Sequence, residues 1–155
     1  MLDKIVVPLD GSDLAEEVLP VVEELASKLS ADVLLLQAVI SSSEAIRETV
    51  PGSGVTPEIG MDVARQRVEA ETESAETYLK TVSERLASQG LTATTAVSEG
   101  PPVGAILEYA REKGASLIAL ATHSRSGLAR AVMGSVADAV VRNSEVPVLL
   151  VRAKG

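Results

Sequence analysis

The chain has 155 residues, enough to bury one core but too few for two typical domains, so a single domain over residues 1–155 is expected. Its 46% hydrophobic and 23% charged composition excludes disorder, and the absence of cysteine, with a single histidine (His123), excludes disulfides and thiolate or imidazole metal centres. A net charge of −8, with only Tyr78 and Tyr109 as aromatics, argues against binding DNA or RNA through phosphate neutralisation or base stacking.

No apolar run reaches membrane-spanning length, and the start MLDKIVVPLD carries an acid at position 3 and enters a strand-like run, unlike a signal peptide. A cytoplasmic protein with no membrane contact is expected. Lys4–Leu9 reads as a first strand, followed at once by the turn and capping residues Asp10-Gly11-Ser12-Asp13. Ala15, Val18, Leu19, Val22, Leu25, Ala26 and Leu29 then recur at helical spacing, with a kink or local adjustment expected at Pro20.

Val33–Val39 is apolar except for Gln37, as in a strand covered on both faces. Residues 40–61 are rich in Ser, Gly and Pro without sustained periodicity and read as a long connection, either a lid or a mobile insertion. Ala64, Val68, Ala75, Tyr78, Leu79, Val82 and Leu86 mark one face of a long helix ending near Gly90, which suits a C-terminal cap. Leu91–Val97 alternates like a third strand, and Gly100-Pro101-Pro102 opens a helix carrying Val103, Ile106, Leu107 and Ala110 inward.

Leu117–Ala121 is a fourth strand, Gly134-Ser135 opens a last helix, and Val146–Val151 is a fifth strand. Five apolar strands alternating with four helices predict an α/β fold, an open five-stranded parallel sheet with helices on both faces. Periodicity does not supply the strand order.

In such a sheet the ligand crevice lies beyond the carboxyl ends of the strands, where the order of connection reverses. Three segments compete for it: Pro8–Ser12, Ala38–Ile40 and Ala121–Ser135. The last joins a strand to a helix, is rich in small and hydroxyl residues, and lies in a stretch from Lys113 to Ala137 without Asp or Glu but with Arg125 and Arg130. Backbone N–H groups near Gly134 and Ser135, aided by the helix dipole, suit an anion, although a structural connection would look the same. The stretch is not a Walker A loop, because no Lys follows Gly134. His123 can in principle act as a general base, but no second residue completes a nucleophile pair, and a backbone-contacting histidine is the plainer reading.

Through KIVVPLDGS, GPPVGAILEYA and ASLIALATHSRSGLARAVMGSVADAVVRNSEVPVLLVR, the chain resembles the universal stress protein family over nearly its whole length. The resemblance implies an adenine nucleotide alpha hydrolase-like sheet of strand order 3-2-1-4-5. It also implies a stress-response module that binds ATP or AMP, with Mg²⁺ as an accompanying ion, and acts on a protein partner rather than by dedicated catalysis. Slow ATP hydrolysis is the most that catalysis would amount to. The family's nucleotide-binding branch carries a glycine, two residues, a glycine, nine residues, then Gly-Ser or Gly-Thr. Those positions here are Ala121, Ser124, and Gly134 with Ser135, so the first two glycines are replaced and the end of the motif is intact.

By that resemblance Asp10 and Val39 line the adenosine side with Ala121 beside the ribose, and the phosphates lie on Ser124, Gly134 and Ser135. Pro8 and Val39 are suited to sandwich a purine, and His123 and Arg125 complete the candidate nucleotide site; for Asp10 a plain turn and capping role competes. A homodimer paired through the C-terminal strand is expected, since that strand is apolar on both faces and, in the family's order, sits at a sheet edge. The competing readings are a nucleotide-independent homodimeric interaction protein of the same fold and an enzyme using an adenosine cofactor.

Overall fold

A computed structural model describes residues 1–49, 52, 54–123 and 134–154. Five parallel strands, β1 (Lys4–Pro8), β2 (Asp32–Val39), β3 (Ala93–Glu99), β4 (Leu117–His123) and β5 (Val148–Ala153), form one sheet in the order β3-β2-β1-β4-β5. The helices α1 (Leu19–Leu29), α2 (Ser42–Thr49), α3 (Pro57–Ser88), α4 (Pro102–Lys113) and α5 (Ser135–Asn143) cover it. The doubly wound α/β class and the implied strand order therefore both hold.

Alternation along the strands divides the interior into two layers. On one face Ile5, Val7, Leu9, Val33, Leu35, Leu117 and Ala119 pack under Leu19, Val22 and Ala26 of α1 and Leu79, Val82 and Leu86 of α3. On the other, Val6, Leu34, Leu36, Ile118 and Leu120 pack under Ile106, Tyr109 and Ala110 of α4 and Ala137 and Val140 of α5. Because β1 and β2 are buried from both sides, they read as continuous apolar runs rather than as alternating ones.

Between β1 and α1 the chain first makes a 3-10 helix, Ala15–Val18, and Pro20 explains it. An α-type bond to the Glu16 carbonyl would need the N–H of residue 20, which proline lacks, and the Leu19 N–H takes that carbonyl instead. Pro20 then sits in the first turn of α1, where its missing N–H costs nothing. The expected adjustment at Pro20 is thus a change of helix type, not a kink.

Where it is described, the segment 40–61 is not the aperiodic connection that composition implied. Ser42–Thr49 is helical, started by a reciprocal cap in which the Ser41 Oγ accepts the Glu44 N–H (3.3 Å) and Glu44 Oε2 accepts the Ser41 N–H (3.0 Å). Ala45 and Ile46 of α2 pack with Ala64 and Val68 of α3, and Arg67 of α3 bridges Glu48 and Glu71. Glu71 also accepts the Ile40 N–H (3.3 Å), which fixes the exit of β2. Helix α3 consequently begins at Pro57, capped by Thr56, well before the first residue of its apolar face. Its end agrees with expectation: Gly90 adopts φ +82°, and Leu91 N–H returns to the Leu86 carbonyl at 3.1 Å.

Leu79 joins α3 to the sheet and is fully buried, whereas Ile59 near the other end of α3 is 54% exposed. Leu79→Ala should cost about 2–5 kcal/mol in a urea melt, while Ile59→Ala should stay within about 0.5 kcal/mol. Equal costs would contradict the burial of Leu79 against the sheet and the exposure of Ile59.

Candidate functional site

The site follows from one backbone feature of β1. Lys4 receives the Ser116 N–H from the β4 side (2.9 Å), while Leu9 donates to Leu36 of β2 (2.8 Å), so the even-numbered peptide groups of β1 face β4. Pro8 stands where the next donor to β4 should be and has none. Registered pairing of β1 with β4 accordingly covers only Ile5–Leu117 and Val6–Ile118, although β4 runs on to His123 against Ala153 of β5. The two strands part at their carboxyl ends, and the sheet's order of connection reverses at the same place.

A cleft of about 320 Å³ occupies that gap. Its floor is apolar, formed by Leu36, Ala38, Ile106 and Leu120, and its rim carries Pro8, Asp10, Ala121, His123, Gly134 and Ser135. The size and the apolar lining with a few polar groups at one side suit a small organic ligand.

At the β1 side Asp10 is exposed, and its Oδ1 accepts the Ser12 N–H (2.9 Å) and the Ser12 hydroxyl (2.5 Å). The Ser12 Oγ in turn accepts the Ala15 N–H (3.1 Å). This is an Asx turn that launches the 3-10 helix, so the turn and capping role of Asp10 is present. Gly11 sits at φ +85°, a conformation that a side chain would strain.

At the α5 side the first helical bond is Asp138 N–H to the Gly134 carbonyl (2.9 Å), so the N–H groups of Ser135, Val136 and Ala137 have no helical acceptor. The Gly134 N–H is not free, because it donates to the Thr122 Oγ at 3.3 Å. Thr122, which sequence reasoning missed, thereby pins the start of α5 to the end of β4. A Cβ on Gly134 would meet nothing within 4 Å, so this position is open toward the cleft.

Of the residues singled out in the sequence, Pro8, Asp10, Ala121, His123, Gly134 and Ser135 are brought together around the cleft. Val39 is not among its lining residues: it is buried, and its carbonyl accepts the Gly100 N–H at 2.9 Å. Its neighbour Ala38 lines the cleft instead, since successive strand residues face opposite ways. Ser124 and Arg125 lie outside the described residues. His123 closes β4 rather than sitting in a loop, and among the described residues its imidazole has no hydrogen-bond partner.

Behind the Asp10 turn, the Tyr78 hydroxyl donates to Glu16 Oε2 (2.9 Å), and Arg85 Nη1 donates to Glu16 Oε1 (3.2 Å). Burial, and then the Glu16 carboxylate, hold the Tyr78 phenol well above its ordinary value. Burial also raises Tyr109, against an opposing hydrogen bond with Thr94.

Fold and cleft together define an open, doubly wound α/β protein with a ligand-sized crevice at its topological switch point. Comparison with known proteins makes the class specific: the chain belongs to the universal stress protein family, whose model matches residues 1–152. Universal stress protein YxiE of Bacillus subtilis is 33% identical over 98% of this chain and 100% of its own length. Universal stress protein MJ0531 of Methanocaldococcus jannaschii is 32% identical over 96% of this chain and 81% of its own. Among solved structures, MJ0577 superposes with a TM-score of 0.76 at 24% identity, covering 100% of this chain and 99% of that one. A universal stress protein solved in complex with cAMP gives 0.67 at 21% identity over 99% and 98% of the two chains. One from Archaeoglobus fulgidus in complex with dAMP gives 0.58 at 22% identity over 97% and 98%.

Both tyrosines have folded pKa values raised above the unfolded value near 10, so each contributes stability that is complete below about pH 10 and is lost as pH rises beyond it. In a 295 nm titration the native protein should remain largely un-ionised at about pH 10, where free tyrosine is half ionised. Tyrosinate should appear together with alkaline unfolding; half-ionisation at pH 10 with the fold intact would contradict the Tyr78–Glu16 geometry.

Proposed function

We propose that this universal stress protein binds an adenine nucleotide, ATP or AMP, in the cleft between the ends of β1 and β4, and acts through a protein partner rather than as a dedicated enzyme. The observation that carries the reading is the junction of an apolar floor with the open N-terminus of α5. A purine fits against Leu36, Ala38, Ile106 and Leu120, and a phosphate fits the N–H groups of Ser135, Val136 and Ala137, where the helix dipole favours an anion. The relatives solved with cAMP and with dAMP support an adenine ligand for this fold.

Among the described residues no group of carboxylates or histidine could hold a metal ion, and Asp10 is the single acidic residue on the cleft rim. Any Mg²⁺ therefore arrives on the phosphates of the nucleotide. No described helix is long and apolar enough to cross a membrane.

Saturating ATP or AMP, at a hundred times its dissociation constant, should stabilise the fold by about 2.7 kcal/mol. Gly134→Asp sets a carboxylate at the start of α5, where an added Cβ meets nothing within 4 Å, and should remove both the binding heat and the melting shift while leaving the circular dichroism unchanged. If millimolar ATP, ADP and AMP leave calorimetry and melting of the parent protein unchanged, the nucleotide reading fails and a nucleotide-independent interaction protein replaces it.

We also propose that two copies pair through β5. This strand is the sheet edge next to β4, and Val148–Val151 are only half-buried although all four are apolar. Light scattering at tens of micromolar protein should return the dimer mass; a monomer mass would end this part of the reading.

A further inference from the structure

We propose that the 3-10 segment Ala15–Val18 is a strap that couples the mouth of the cleft to the end of the outermost strand, β5. Its physiological sense rests on the cleft holding a ligand; its mechanics do not, and they are tested separately below.

The strap begins in the cleft. Leu14 and Ala15 line it, and the segment hangs from the Asp10 turn through Ser12, whose Oγ takes the Ala15 N–H while its own N–H and hydroxyl are held by Asp10. A ligand that engages Asp10 competes for the carboxylate that organises this turn.

Two consecutive glutamates then fasten the strap to distant elements. Glu16 takes the Tyr78 hydroxyl and Arg85 of α3. Glu17 Oε2 accepts the backbone N–H of Lys154 at 2.6 Å, the first amide after β5 and 137 residues away in sequence. A charged acceptor makes this one of the stronger bonds to a backbone amide, and it fixes where the edge strand ends. Consecutive side chains reach opposite neighbours because a 3-10 helix turns by a third of a circle per residue.

Pro20 keeps the strap in 3-10 form, because it withholds the N–H that an α-helix would give to the Glu16 carbonyl. In α form, which a donor at position 20 would allow, the same four residues would be about 2 Å shorter, since the rise falls from 2.0 to 1.5 Å per residue, and Glu17 would shift relative to Lys154. A shift at the Asp10 turn, where the segment starts, moves Glu17 likewise and is transmitted as weakening of the Glu17–Lys154 bond.

The test is native-state amide exchange at Lys154, with the central β2 amide of Leu35 as the control for global opening. Asp10→Ala should speed Lys154 exchange about tenfold while Leu35 stays unchanged. Glu17→Gln alone should produce a similar acceleration, and adding Asp10→Ala to it should add little, since one bond cannot be lost twice. Pro20→Ala, which restores the missing donor, should accelerate Lys154 and raise helical circular dichroism. The strap is overturned if Asp10→Ala and Pro20→Ala leave Lys154 unaltered, or if Asp10→Ala acts equally with and without Glu17. Saturating ATP supplies a separate arm: a calorimetric heat with no change at Lys154 also overturns the coupling. Absence of any heat removes the nucleotide reading and leaves the strap to be decided by the variants.

Discussion

The architecture turns on a missing hydrogen-bond donor at the centre of the sheet. β1 is flanked by β2 and β4 and buried on both faces, so each of its peptide groups owes a partner to one neighbour or the other. Pro8 cannot meet that obligation toward β4, and pairing there stops after Val6–Ile118. Beyond that point the strands part, and the cleft with its floor of Leu36, Ala38, Ile106 and Leu120 lies between their ends. A single imino acid thus converts a strand pair into a crevice, and the reversal of connection between β1 and β4 leaves no crossover helix to fill it.

What surrounds the crevice is arranged to hold its edges still without filling it. On one rim the Asp10–Ser12 turn uses side-chain bonds to start the 3-10 helix, and on the other Thr122 holds the Gly134 N–H and so fixes where α5 begins. Both rims spend polar groups on their own geometry. Among the described residues, the groups left without a partner are the N–H donors of Ser135, Val136 and Ala137, the second Asp10 oxygen, and the His123 imidazole.

Most of the fold was legible because burial on two faces leaves a plain mark: runs such as Ile5-Val6-Val7 and Val33–Leu36 fit no exposed helix. Strand order was not in the periodicity, since every strand reads alike, and it came only through the resemblance. Helix α2 escaped for a different reason. At eight residues it spans two turns, too short for an apolar stripe, yet its capping pair Ser41 and Glu44 stood in the sequence at the spacing such a box requires. At the site, Ala38 rather than Val39 lines the cleft. Strand parity decides which side a residue faces, and a run apolar on both sides carries no parity signal, so Ala38 and Val39 were indistinguishable until the register with Ser98 and Glu99 was known. Thr122 was missed because a hydroxyl that caps a helix twelve residues away has no local signature.

The balance of charge shows what kind of affinity the crevice can have. The chain carries −8, and the one charged side chain of fixed sign among the described lining residues is Asp10, so this part of the cleft draws no anion by net charge. Among the described residues, attraction there comes from dipoles: the α5 N-terminus and its N–H groups without a helical acceptor, whose influence dies away within a turn of the helix. Such a field discriminates by position rather than by total charge. A phosphate must sit at the mouth of α5 to feel it, and the distance from that mouth to the apolar floor under Ile106 then sets how long the rest of the ligand can be. For a nucleotide held as proposed, this dipolar contribution depends on reach and shape, with the number of phosphates mattering to it only as far as each finds a donor.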